Sequence, residues 1–471
     1  MPIKVNETSA AVEAMQPDLQ KVRALMGGTK AMRKAGELYL PRWPMEDQQG
    51  YAFRLKTSTL YNAFSRTVNN MASKPFTEPV KWTDIDPIVE AWFDNIDLQG
   101  HNLHTFAHTT FKQGLQDGLT HVLVEYPRTV KDGQSIAPTL ADERNLGLRP
   151  YVVHINQSQI LGWLSETVNG VEVLSQIRIM ECVDVIDGEY GAKQIEQVRV
   201  LTPGAWQTFR KVESVDKDTN WALYEEGTNS LDFIPLKTYY ANQTGFMAAE
   251  PPLLDLADLN IKHWQSTSDQ DSILHTARVP ILAITGVTED DKIIIGGKSA
   301  LMLPIGAEAK FVEHSGAAIE AGRNSILDLE AQMESMGAEL LIAQPGDKSA
   351  TEAALDTAQE QSQLASMAAS LEDFLDEVVD VMAKWANLPD QGDIDVFDDF
   401  SSIGVNAQTV QPFVTSLVTL VNTGLLSPES AFLELQRYGI TNPDMEWEAE
   451  QEKIQASPPM LGMTNPQPLP A

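Results

Sequence analysis

Between residues 251 and 277 the stretch PPLLDLADLNIKHWQSTSDQDSILHTA begins with an apolar stripe and then turns polar on every side. Prolines at its front stand where a helix can begin, so the pattern predicts one helix over 251–277. Its second half, QSTSDQDS, has no apolar stripe to bury, and such a helix faces solvent or polar partners. A second helix, GAAIEAGRNSILDLEAQMESMGAELLI (316–342), carries Ile319, Ile326, Leu329, Met333, Met336 and Leu340, with Gly322 in the one open slot of the 3–4 pattern. That narrow seam predicts helix packed on helix. At 1.5 Å per residue its 27 residues reach roughly 40 Å. Between the two helices, RVPILAITG, KIIIGG, ALMLPIG and AKFVEH are short strand-like runs that predict a small β module.

The rest of the chain divides by period. The first 118 residues read mainly as helix. In YAFRLKTSTLYNAFSRTVNNMASKPF, Phe53, Leu60, Phe64, Val68 and Met71 keep a helical spacing that Lys74-Pro75 ends. Further helices are expected in DPIVEAWFDNID and HNLHTFAHTTFKQGLQDG. From about 119 to 243, THVLVEY, VEVLSQIRIME, QIEQVRVLT, WQTFRKVE, WALYEEG and IPLKTYYAN are β-branched or aromatic runs separated by Gly, Asp and Asn turns, as in an antiparallel sheet. After the Pro345-Gly346 turn, Ser349 and Glu352 form a capping box that starts a new helix. Its stripe runs through Leu364, Met367, Leu371, Phe374, Val378, Met382 and Trp385 and stops at NLPD. Two more helices are expected within 403–440, and the Pro-rich end SPPMLGMTNPQPLPA has too few core residues to pack. The fold class is α+β.

Charge sharpens this picture. The 471 residues carry a formal net charge of −32, which argues against a surface that grips phosphates, because affinity for duplex DNA comes largely from Lys and Arg displacing counterions. Such a surface repels DNA, and a conduit must not hold what passes through it; simple solubility is the plainer reading. Residues 21–81 hold 11 Lys/Arg against 4 Asp/Glu, and residues 351–400 hold 13 Asp/Glu against one Lys. Blocks of opposite sign can pair between copies of the chain, although a solvated charged face is the commoner arrangement. One cysteine, Cys182, allows no internal disulfide and no Cys-based zinc cluster, and fits a reducing cytosol. No apolar signal core and no membrane-length apolar run is found, so a soluble protein without membrane partner is expected.

Candidate chemistry is thin. IIIGGKSA (293–300) looks like a phosphate loop, but the motif needs glycine at 292 and the residue there is Lys292. A hairpin turn is the plainer reading. His101, His104 and His108 would share one helix face, yet no carboxylate at matching spacing completes a metal site. TEDDK (288–292) and DIDVFDD (393–399) are acidic, but a Mg²⁺ nuclease site needs carboxylates gathered from separate elements. Neither a Gly-x-Ser-x-Gly elbow nor His-Glu-x-x-His occurs. No enzyme, no cofactor and no metal is expected.

The order of helix, small β module, seam helix, short turn and long helix resembles the portal proteins of tailed bacteriophages. YLPRWPMEDQQGYAFRLKTSTLYNAFSRTVNNMASKPF, LADLNIKHWQSTSD, GGKSALMLPIGAEAKFVEHSGAAIEAGR and SATEA are similar to a branch of portal-type proteins catalogued as a domain of unknown function, over roughly residues 39–400. The resemblance implies a ring, usually a dodecamer, at one capsid vertex, in the virion after assembly in the host cytoplasm. It implies a wing (1–250, then the helix 351–402), two stem helices (251–277 and 316–343), a clip (278–315), a crown (403–450) and a disordered tail (451–471). It also implies double-stranded DNA passing without sequence specificity during packaging, retention and ejection. The implied partners are further copies of the chain, terminase, a head–tail adaptor, and the major capsid and scaffolding proteins. Gln344, Pro345, Gly346, Asp347, Lys348 and Ser349 stand where portals carry a tunnel loop, with Lys348 offered to DNA; an ordinary exposed turn lysine is the alternative. The short clip and short tail depart from larger portals. A head-morphogenesis nuclease or protease, or a smaller head–tail adaptor, are the other readings.

Overall fold

The computed structural model describes residues 4–127, 130–131, 134–135, 139–212, 220–277, 281–285, 308–312, 317–339, 363–398, 407–437, 441, 445 and 447–456. The chain forms two compact units, Met1–Phe397 and Asp398–Ala471.

The first unit opens with helices α1 (Ala10–Met26), α2 (Gly28–Ala35), α3 (Gln48–Thr57) and α4 (Ala63–Ala72). Val12, Leu19, Val22 and Leu25 form the buried stripe of α1. The single helical run expected over 51–76 is two helices. Ser58 turns its hydroxyl back onto Arg54 O at 2.8 Å, and Asn62 caps the new start by accepting from Ser65 N at 3.0 Å. These short polar side chains bind local backbone groups and so compete with helix continuation. Phe53, counted in the expected stripe, is 55% exposed because the break rotates it away from the core.

A two-residue strand, β1 (Lys81–Trp82), and the short helix α5 (Pro87–Glu90) lead to α6 (Leu103–Asp117). Asn102 caps α6 by accepting from Thr105 N at 2.9 Å, and Gly118, at φ 85°, ends it. A Cβ on Gly118 would stand 2.5 Å from Glu250 O, so glycine serves both the left-handed turn and the close approach. Strand β2 (Leu119–Glu125) follows at once.

Among the described residues the expected β region is two larger antiparallel sheets and two two-stranded ladders. After β2 come β3 (Val130–Lys131), β4 (Gln134–Ser135), α7 (Leu140–Asn145) and β5 (Tyr151–Ile155). Next are β6 (Ile160–Val168), β7 (Val171–Asp187), β8 (Gly191–Thr202), β9 (Ala205–Val212) and β10 (Asn220–Thr228). The region closes with β11 (Leu236–Tyr240), β12 (Gln243–Gly245) and β13 (Ala248–Ala249). One larger sheet has the order β11-β2-β5, the other is the meander β10-β9-β8-β7-β6, and the ladders are β3-β4 and β12-β13. Leu123, Ile155, Ile160, Ile177, Ile179, Leu201 and Leu236 join Val12 of α1 in one core. Beyond Met180 the β7–β8 ribbon has little to cover it, and Ile186 is 86% exposed.

Three later elements complete this unit: α8 (Leu254–Ala277), α9 (Ala317–Glu339) and α10 (Gln363–Trp385), with β14 (Ile281–Thr285) and β15 (Glu308–Val312) between the first two. Helix α10 buries Leu364, Met367, Leu371, Phe374, Val378 and Met382 among others, in the register its sequence stripe predicts. Tyr239 of β11 packs on Phe374 at 5.8 Å between ring centres and donates its hydroxyl to Met367 O at 3.0 Å. At its end Leu388 N donates to Ala383 O at 2.9 Å, with Asn387 in the left-handed region at φ 54°. The chain then returns along α10, and three carboxylates one turn apart receive it. Asp380 accepts from Gln391 N at 2.8 Å, Asp376 from Ile394 N at 2.7 Å and Glu372 from Val396 N at 2.8 Å. Burial, reinforced by Asp393, Asp373 and Asp380, pushes the Asp376 carboxyl up to about 6, despite its bond from Ile394 N. Ile394–Asp395 (β16) pairs with β1.

The second unit holds α11 (Ala407–Asn422), α12 (Pro428–Arg437) and α13 (Trp447–Ala456). Leu417, Ala431 and Phe432 are its buried apolar residues among those described, and Phe432 meets the Trp447 ring at 5.4 Å. Two helices were expected here, and α13 is a third. It extends into the stretch 451–471 expected to be unstructured, because EAEQEKIQA is rich in strong helix formers and Trp447 anchors its start.

Candidate functional site

Helices α8 and α9 pack against each other and run antiparallel, since His263 lies opposite Glu330 and Gln270 opposite Ile319. His263 Nε2 is 3.2 Å from Glu330 Oε1, and Gln270 Nε2 donates to Ile319 O at 2.8 Å. Gly322 makes that second contact possible. A Cβ there would stand 2.1 Å from Gln270 Oε1, so the open slot in the seam is the space the glutamine occupies. Each helix is about 35 Å long at 1.5 Å per residue. Strands β14 and β15 form an antiparallel ladder between them in sequence, from Ile281↔Val312 to Thr285↔Glu308. The other two expected runs of the β module, KIIIGG and ALMLPIG, lie outside the described residues.

Leu329 and Met333 are buried, while Ile319, Ile326 and Met336 are half-buried. Leu340 lies outside the described residues. Part of the seam meets α4, where a Cβ on Gly337 would lie 3.1 Å from Thr67 Oγ1. A groove of about 670 Å³ runs along this junction and bears Arg66 and Lys74 on one wall, Glu330 and Glu334 on the other.

Helix α8 has polar partners, as its composition requires, and the structure identifies them. Asn260, fully buried, accepts from Phe64 N at 3.0 Å and donates to Tyr61 O at 2.8 Å, so it serves an otherwise unpaired donor in the first turn of α4. Ser268 donates to Ser58 Oγ at 2.8 Å, since the Ser58 proton goes to Arg54 O, and Gln265 donates to Tyr39 O at 3.0 Å. Lys21 of α1 pairs with Asp258 at 2.7 Å. Burial lowers the Lys21 pKa, but hydrogen bonding and attraction from Asp258, with a smaller share from Asp18, leave it raised overall. Trp264 is fully buried, and its Nε1 has no hydrogen-bond partner among the described residues. Sequence reading found that the helix was polar but could not say which residues reach inward, because Asn260 bonds with residues 199 and 196 positions away.

The pair is acidic. Helices α8 and α9 hold Asp255, Asp258, Asp269, Asp271, Glu320, Asp328, Glu330, Glu334 and Glu339 against Lys262 and Arg323.

The remaining expected features fall as follows. Gln344, Pro345, Gly346, Asp347, Lys348 and Ser349 lie outside the described residues, as do the capping box at Ser349 and Glu352, the run 293–300 and the acidic run 288–292. His104 and His108 pack edge-on against Phe76 at 5.4 and 5.2 Å, and His101 Nδ1 is 2.6 Å from Asp97 Oδ2. Burial, chiefly, lowers the pKa of His108. In the run 393–399, Ile394 and Val396 turn inward while Asp393 and Asp395 are exposed. Among the described residues no group of three or more His, Cys, Asp or Glu is placed to hold a metal ion. Among them, too, no helix is long and apolar enough to cross a membrane.

Residues 252–386 match the family model described as a domain of unknown function, DUF4055. That span begins at the entry to α8 and ends just past α10. No curated protein matches the chain. Among solved structures, it is similar to a chain in the neck of an empty gene transfer agent particle computed with C6 symmetry, at TM-score 0.40 and 12% identity, covering 84% of this chain and 96% of that one. It is also similar to chains in the virion of a native gene transfer agent particle (TM-score 0.39) and in the neck of a native particle computed with C12 symmetry (TM-score 0.37). Both are 12% identical and cover 79% of this chain and 89% of the other.

Proposed function

We propose that the chain is a portal-type protein: a ring-forming, non-enzymatic conduit for double-stranded DNA at a capsid vertex, acting in genome packaging, retention and ejection. The observation that carries this reading is the antiparallel α8–α9 pair, about 35 Å long, with a β ladder between its helices and acid-rich flanks. Stood side by side with its copies around an axis, such a pair lines a passage with negative charge. Duplex DNA is itself dense in negative charge, and an acidic wall gives it no counterion-releasing contacts, so it slides rather than binds. In this reading α8 and α9 are the stem, the ladder belongs to the clip, α10 and the residues before α8 form the wing, and the second unit is the crown. Copies of the chain, twelve to a ring in this reading, are its first partners; terminase, a head–tail adaptor, and capsid and scaffolding proteins are the others.

Negative-stain images of the purified protein test the reading. Rings with a central hole of roughly 20 Å or more, wide enough for a duplex, are expected. A monomer with carboxylate-dependent cleavage of DNA or protein would instead favour a morphogenesis enzyme. Within the reading, Lys348 offers each subunit's brief contact to passing phosphates. Lys348→Glu is expected to change packaging or retention while rings still form, and unchanged DNA handling would remove that role.

A further inference from the structure

Residues 391–396 form a strap between β1 and α10, and its two sides are held differently. On the β1 side the backbones pair directly: Thr83 N donates to Asp393 O at 2.9 Å, and Lys81↔Asp395 and Trp82↔Ile394 are strand partners. A Cβ on Gly392 would stand 2.0 Å from Thr83 O, so glycine permits this approach. On the α10 side three carboxylates take the strap's backbone donors. Asp380 accepts from Gln391 N at 2.8 Å, Asp376 from Ile394 N at 2.7 Å and Glu372 from Val396 N at 2.8 Å. Spaced four residues apart, they form one row along the helix. Ile394 and Val396 are buried within the strap, and the first unit ends one residue later at Phe397. The row therefore holds the segment by which the chain leaves this unit.

Carboxylates are strong acceptors from backbone donors, yet this row gathers charge of a single sign. Asp376 is faced by Asp373 and Asp380 of its own helix and by Asp393 of the strap. Asp395 of β16, Asp86 at the cap of α5 and Glu90 within α5 add further negative charge on the elements packed there. The cations on this side have other partners: Lys384 pairs with Asp390 at 3.5 Å, Lys237 of β11 with Glu377 at 2.9 Å, and Lys81 of β1 with Glu78 at 2.8 Å. On the apolar side of α10, α6 and β2 bring His104, His108, Lys112, Asp117, His121 and Glu125, and none of these is among the charges that shift Asp376. A proton on Asp376 relieves the crowding, and its carbonyl oxygen still accepts from Ile394 N.

We propose that the carboxylate row of α10 is a pH-set clamp on the strap 391–396, tight when Asp376 carries a proton and looser when the whole row is charged. Burial, with Asp393, Asp373 and Asp380, raises the Asp376 carboxyl from 3.8 to about 6 in the clamped chain. The extra hold is therefore complete below about 4, where the released carboxyl also binds its proton, and is lost as the pH rises through about 6. Between pH 5 and pH 8 this changes the opening of the strap by about three- to tenfold, the lower figure allowing for solvent screening of a half-buried group.

The test is hydrogen exchange of the full-length chain at pH 5 and pH 8, with each amide corrected for its intrinsic rate. Protection of the Ile394 and Val396 amides is expected to be about three- to tenfold lower at pH 8, while amides in the middle of α10 show no such fall. Asp376→Asn keeps an acceptor for Ile394 N without the charge, so its strap is expected to stay equally protected at both values. Asp380→Asn removes one facing charge and keeps its own acceptor, so loosening is expected to begin at lower pH than in wild type; it carries the test should Asp376→Asn fail to fold. Wild-type protection that does not change with pH, variants that follow wild type, or loosening shared by the whole of α10 would each overturn the clamp.

Discussion

Helices α8 and α10 belong to the same unit and have nearly the same length, yet they are held by different physics. Helix α10 turns a broad apolar stripe into the β11-β2-β5 sheet and α6, and burial of Leu371, Phe374, Val378 and Met382 does most of the holding. Each such side chain contributes about 1.5–3 kcal/mol, and the force has no direction. Helix α8 also buries Trp264, but its position is fixed by buried polar groups, Asn260, His263, Ser268 and Gln270, each bonded to particular atoms of its neighbours. Hydrogen bonds of this kind add little net stability but are exacting in position. The comparison teaches that α10 secures the unit, whereas α8 sets where the α8–α9 pair stands.

The largest expected effect therefore lies under α10. Phe374→Ala removes a ring packed against Tyr239 and is expected to cost about 3–5 kcal/mol in denaturant unfolding of the first unit. Acid probes the same core. His121 of β2 is fully buried, and burial, the largest cause, brings its pKa down to about 4 even though the Gln157 bond raises it. The unfolded chain takes up this proton near 6.5, whereas the folded one refuses it until about 4. The contribution of His121 is therefore full above about 6.5 and falls as pH drops towards 4, by about 3 kcal/mol in total. Asp376, with its carboxyl raised to about 6, gains stability over the same window, so the loss is read as the difference between urea melts of wild type and His121→Asn, and a difference that does not change with pH would mean that the imidazole is not buried as described.

Smaller losses are expected at α8. Asn260→Ala leaves Phe64 N and Tyr61 O unpaired and is expected to cost about 2 kcal/mol. Hydrogen exchange should quicken in the first turn of α4 more than in α10. Ser268→Ala is the mildest, at about 1 kcal/mol or less, because Ser58 keeps its bond to Arg54 O. If both α8 variants cost as much as Phe374→Ala, the distinction between the two helices fails.

The same contrast explains what was legible in the sequence. Period carries the apolar information, so the α10 stripe and strand-like runs within Val171–Asp187 and Ala205–Val212 could be read directly. A polar contact has no period. The bonds of Asn260 to residues 61 and 64 and the Arg54–Glu46 clasp left no pattern, and neither did the break that Ser58 and Asn62 impose between α3 and α4. Helix α13 was missed because its stretch lacks an apolar stripe, and only Trp447 against Phe432 marks it as packed.

The most direct test is a reconstruction of the purified assembly at a resolution that distinguishes helices. The account predicts a ring whose innermost wall is formed by residues 254–277 and 317–339 of successive copies around an open passage. A monomer, or a ring with those two helices on its outer rim, would contradict it.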